Sequence, residues 1–140
     1  MQGPEQVVRR HLLLGWTALL FYLGFGLLLE ILHGFKAGFY LDVGNESRRL
    51  MWRLAHAHGT LLGLVNVVYG LTVKTVPEAA HGLASVCLST ALVLVPLGFF
   101  RGGTLIKGGD PGPMVLIVPP GAAALAIGVG IVVRAIARHR

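Results

Sequence analysis

The stretch RRHLLLGWTALLFYLGFGLLLEILH, residues 9 to 33, decides the class of fold. Behind Arg9, Arg10 and His11, the eighteen residues from Leu12 to Leu29 carry no charge, and the run closes at Glu30. A helix needs about 20 predominantly apolar residues to cross the hydrocarbon core of a bilayer. A secretory signal would have a shorter apolar core, about 7 to 15 residues, and then a small-residue cleavage site. Leu32-His33-Gly34-Phe35-Lys36 offers no such site, so this helix is read as retained.

Three further runs follow. Leu54 to Val73 is preceded by Asn45-Glu46-Ser47-Arg48-Arg49, where Asn45 is the expected N-cap and Glu46 suits the first turn. Leu83 to Phe100 is bounded by Pro77 and by Arg101-Gly102-Gly103. Met114 to Val133 contains Pro119-Pro120, which removes two backbone donors, so the fourth helix is expected either kinked there or delayed to that point. The spans are thus placed at 12–33, 50–73, 81–100 and 113–135. Just before the last, Asp110 is expected either as an N-cap with Pro111 at the first helical position or as part of a site wall.

Composition agrees with a chain solvated by lipid. Of 140 residues, 54% are hydrophobic and 13% charged, with a mean hydropathy of +0.72, whereas soluble domains carry about 25% charged residues. The expectation is one domain: an all-α, integral-membrane, up-down-up-down four-helix bundle. A formal charge of +6 then reads as basic ends and loops against anionic head groups. Nucleic acid is not an expected partner, because neither zinc-finger spacing nor interleaved basic and aromatic residues occur. The single cysteine, Cys87, excludes an intrachain disulfide and any CxxC motif.

Four spans place both termini and the 74–81 loop at one end of the bundle, the terminal end, and the 34–49 and 101–112 loops at the other, the far end. Basic residues divide six to six between them, so the positive-inside rule ties. Discounting Arg53 and Arg101 as ion partners at span edges breaks the tie and puts the termini in the cytoplasm. The expected location is the bacterial inner membrane.

Ionisable residues within spans are costly and usually turned inward, and here they gather toward the far end: Glu30, His33, His56, His58, Arg101 and Asp110. Steps of three and four residues join Gly15, Leu19, Tyr22, Gly26, Glu30 and His33 into one stripe. His56, Gly59, Gly63, Asn66 and Gly70 form a second, and His81, Ser85, Ser89, Leu92 and Pro96 a third. Such rows of small and polar residues pack membrane helices together. His56 and His58 lie about 200° apart on a helix and cannot share one ion; phase favours His56 for the core.

Two short segments resemble known haem-binding helices. Ala57-His58-Gly59-Thr60-Leu61-Leu62 resembles the His-Gly-Thr helix that carries a low-spin haem ligand in haem-copper oxidases, which implies His58 as an axial ligand. Glu30-Ile31-Leu32-His33-Gly34 is similar to the Glu-and-His helix of haem A synthases, which implies His33, although Gly34 stands where that motif has arginine. Each likeness covers about half a dozen residues, and the first favours His58 where phase favours His56. The chain otherwise resembles small four-span bacterial membrane proteins.

The expected function is binding of haem b or a transition metal for electron transfer or redox chemistry. In the haem form, histidines among His33, His56 and His58 ligate iron, and Arg53 or Arg101 pairs with a propionate. In the metal form, Glu30, His33 and His56 bind the ion. The alternative is a non-catalytic membrane subunit or assembly partner, working with another membrane protein or further copies of itself, whose buried Glu, His and Arg network is structural. No catalytic residue is assigned.

Overall fold

The computed structural model describes residues 3 to 139, and they are almost wholly helical. The described residues form five α-helices: α1 (Pro4–Gly34), α2 (Gly38–Leu41), α3 (Glu46–Thr75), α4 (Gly82–Thr104) and α5 (Val118–Arg138). All but α2 are long and apolar enough to cross a membrane.

Local chemistry sets the ends. Pro4 opens α1 at its first turn with Glu5 beside it, where a missing N–H costs nothing and a carboxylate meets the positive end of the helix. Its C-terminus closes with Lys36 N–H on the His33 carbonyl at 3.1 Å and Ala37 N–H on Leu32 at 3.0 Å. Lys36 takes the left-handed position (φ 53°) that closure requires. Asn45 stands at the N-cap of α3 as expected, but its side chain does not cap the helix; the amide instead donates to the Gly38 carbonyl at 3.4 Å.

The diproline resolves in favour of the delayed start. A 3₁₀ segment, Pro113–Ile117, leads into α5, and Pro119 and Pro120 fall in the first turn of that helix, where their missing N–H groups break no helical bond. Asp110 is not the N-cap; Gly112 caps the 3₁₀ segment and Ile117 stands before α5. Asp110 exchanges backbone bonds with Lys107 at 3.0 and 3.2 Å across Gly108-Gly109. Both glycines have positive φ (59° and 89°), as a tight two-residue turn demands. Ser47 donates to the Gly109 carbonyl, fastening this turn to α3.

The long helices form a row in chain order: α1 packs on α3, α3 on α4, α4 on α5, while α1 meets α4 only sparsely. Facing residues pin the helices together at particular points. Gly15 lies against Gly63 and Val67, Gly26 against His56, and Gly70 against Val8 and Leu12. Gly103 similarly lies against Trp52, and Gly128 against Leu88. A Cβ on Gly15 would meet the Gly63 carbonyl at 2.7 Å, so bare backbone is what lets α1 and α3 approach. Because α1 and α5 each have one main neighbour, only 11% of their apolar windows is buried, against 44% and 50% for the inner helices.

Candidate functional site

The polar centre of the molecule is at the terminal end, opposite the end where the sequence concentrates its ionisable residues. His11 of α1, Asn66 of α3 and Ser85 of α4 are buried together, at 0%, 0% and 2% exposure. His11 Nδ1 and Asn66 Oδ1 are 2.7 Å apart, and His11 Nε2 and Ser85 Oγ are also 2.7 Å apart. Asn66 Nδ2 donates to the Leu62 carbonyl at 2.8 Å and the Leu88 carbonyl at 3.4 Å, which fixes the amide with its oxygen toward the imidazole. His11 Nδ1–H therefore donates to Asn66, and Nε2 accepts from the Ser85 hydroxyl. Tyr69 seats its ring edge-on to His11 at 4.6 Å and donates its hydroxyl to the Ala79 carbonyl at 3.0 Å. Around this network pack Val7, Val73, Ala84 and Leu88, all buried.

The order hydroxyl, imidazole, amide is that of a nucleophilic relay. Here its serine is covered, and neither the groove along Val8, Leu12 and Leu71 nor that along Val65, Tyr69 and Leu88 is lined by His11, Asn66 or Ser85. Among the described residues no buried side-chain nitrogen or oxygen lacks a hydrogen-bond partner. The network is closed on itself, and what it does is join three helices.

The far-end residues do not assemble into one centre. Among the described residues, no three His, Cys, Asp or Glu side chains form a group able to hold a metal ion. Glu30, His33, Arg53, Arg101 and Asp110 are exposed. His56 lies across from Gly26, so Glu30 is a full turn farther out and His33 nearly two, about 6 and 10 Å along the axis. Glu30 and His33 therefore lie farther along the axis than His56, and among the described residues the structure does not bring Glu30, His33 and His56 of the expected metal set into one group. The reason is axial: helical phase aligned these residues around the helix, while the close Gly15–Gly63 contact sets the offset along it.

His56 and His58 diverge as their spacing requires. The His56 ring occupies the space over Gly26 and donates Nδ1–H to the Tyr22 carbonyl at 2.8 Å, while the Tyr22 ring in turn fills the space over Gly59. His58 donates Nδ1–H to the Leu54 carbonyl at 2.9 Å and lies against the Phe99 ring of α4 at 4.9 Å. So each histidine enters a different helix interface, and each has Nε2 without a hydrogen-bond partner among the described residues.

Arg48 and Arg49 fasten the far-end loop. Arg49 Nη1 donates to the carbonyls of Tyr40, Leu41 and Asp42 at 3.2, 2.5 and 3.1 Å, and Arg48 reaches Phe39 at 2.6 Å and Gly103 at 3.3 Å. The Tyr40 ring stacks on Trp52, and Trp52 on Phe100. Burial raises the Tyr40 phenol above its ordinary value of 10.0; Arg53 and Arg49 oppose that shift and Glu30 adds to it.

His11 is the residue that sequence reasoning misses, taken there as a flank of the first span. The signal was present: His11 precedes Gly15 by four residues and so extends the first stripe by one step. Asn66 and Ser85, both on predicted inward stripes, are buried as that pattern implies.

No family model matches the chain, and neither a curated protein nor a solved structure matches it. What sequence and structure define is a class: an all-α chain with four helices able to span a membrane.

Proposed function

We propose that the chain is a multi-pass protein of the bacterial plasma membrane, its four long helices running up-down-up-down in a row rather than closing into a bundle, and that it serves as a non-catalytic subunit or assembly partner. The observation that carries this reading is the closed His11, Asn66 and Ser85 network, which spends its polar groups on holding helices together and leaves none for a substrate. The outer face of α1 suits a neighbour within the bilayer: Trp16, Leu20 and Leu27 are all more than half exposed. Resistance to carbonate extraction tests insertion. A photo-crosslinker at Trp16, used in native membranes, should yield one protein adduct of defined mass, whereas a linker at buried Leu62 should yield none. Crosslinks to lipid alone from Trp16 would refute the subunit reading.

A second reading, haem binding, is favoured by His56 and His58. Each donates Nδ1–H to a backbone carbonyl and keeps Nε2 free, the arrangement that orients histidines as ligands. Since the two rings enter different interfaces, only one of them would serve a given iron, with Arg53 or Arg101, exposed at the same end, available to a propionate. A Soret band with sharp reduced α and β bands in the purified protein, lost in either His56→Ala or His58→Ala with the fold retained, would establish this reading over the first.

A further inference from the structure

At the terminal end, the start of α1 and the end of α3 enclose an open groove of about 660 Å³. Its rim carries Arg9, Lys74 and Glu5, all exposed, and its floor includes Leu12, Leu13 and Leu71. The rim is net positive by one charge. It also stands at the N-terminus of a 31-residue helix whose N-cap, Gly3, provides no side-chain cap, so the helix dipole adds to the positive potential. The apolar floor runs from this charged mouth toward the middle of α1. A free anion would use the mouth and have no need of the floor. An amphiphile with an anionic head uses both.

We propose that this groove is a binding site for an anionic phospholipid. Its phosphate lies between Arg9 and Lys74, and one acyl chain follows Leu12, Leu13 and Leu71. The site rests on the reading that the chain is membrane-inserted. Basic recesses between membrane helices hold such head groups through the same combination of charge and apolar wall. Glu5 is the opposing element: it lowers the attraction and keeps exchange possible. An ammonium-bearing head group would instead draw on Glu5, and the reversed effect of its removal distinguishes the two.

Native mass spectrometry of the full chain, delipidated in detergent and titrated with phosphatidylglycerol or phosphatidylcholine of matched acyl chains, tests the assignment. Phosphatidylglycerol should be retained preferentially. With about 1 kcal/mol per basic residue near the head group, Arg9→Gln or Lys74→Gln should each weaken its retention about fivefold, and the double variant about thirtyfold. Glu5→Gln should strengthen it, a gain that a misfolded variant would not give. Arg138→Gln, at the same end on α5, should leave retention unchanged. Equal retention of the two lipids, an effect of Arg138→Gln as large as that of Lys74→Gln, displacement of the lipid by inorganic phosphate, or weaker binding in Glu5→Gln would each overturn the proposal. Carbonate extraction separates the two failures: a chain that stays in the membrane but shows no preference refutes the site alone, and one that is extracted refutes the membrane reading beneath it.

Discussion

Replacing His11 with alanine should be among the most damaging single changes in this protein. The imidazole is wholly buried and bonded at both nitrogens, so its removal acts in three ways. Ser85 can turn its hydroxyl to the carbonyl of His81, the N-cap of α4, as Ser89 does to Ser85 at 2.8 Å, and so loses little. Asn66 has no such recourse: its Nδ2 already serves Leu62 and Leu88, and its Oδ1 is left bare in an apolar surrounding. An orphaned buried acceptor costs about 1–3 kcal/mol, although interhelical polar bonds in membrane proteins average nearer 0.6 kcal/mol. The lost ring also leaves a void beside Tyr69, worth about 2 kcal/mol more. The sum is about 3 kcal/mol, roughly a hundredfold in the unfolding constant. Equilibrium unfolding in mixed micelles with rising dodecyl sulfate, followed by tryptophan fluorescence and circular dichroism, reads it. His33→Ala, at an exposed position, should stay within about 0.5 kcal/mol of the parent. The sharper test is the double-mutant cycle of His11→Ala with Asn66→Ala, whose coupling should be about 1 kcal/mol. Strict additivity, or equal costs for His11→Ala and His33→Ala, would refute the account of the network as the lock between α1, α3 and α4.

Two further outcomes follow from the geometry. Gly15→Ala should destabilise by about 1–3 kcal/mol in the same assay, because its Cβ would meet the Gly63 carbonyl and the Val67 amide at 2.7 and 2.8 Å; Gly24→Ala, with nothing within 4 Å, should be neutral or slightly stabilising. Tyr40 gives a pH signature: its phenol is raised in the fold, so the stability it confers is present below pH 10, the unfolded value, and is lost as pH climbs through the higher folded value. Tyr40→Phe should therefore flatten the alkaline fall in stability, and the wild-type minus variant absorbance difference near 295 nm should titrate above pH 10; a midpoint at or below 10 would contradict the burial argument.

The number and order of the membrane-length helices was legible in composition and run length, since each apolar run is set by its own residues and the local breakers around it. The facing stripes were legible too. Gly15, Gly26, Gly59, Gly63 and Gly70 do meet across α1 and α3, because helical period fixes the direction in which each side chain leaves the axis. The divergence of His56 and His58 follows from the same geometry. What the sequence could not supply was position along the axis. Glu30 and His33 share the inward stripe, yet both are exposed at the end of α1, beyond the point where α3 faces that helix with His56. His11, outside the uncharged run, is sealed from solvent because α1 begins two turns earlier than that run and lies against the end of α3 and the start of α4. Periodicity is a property of one helix, whereas depth is a relation between helices. That relation was decided only where backbones came close enough to lock, at Gly15 against Gly63, and it placed the buried polar centre at the terminal end.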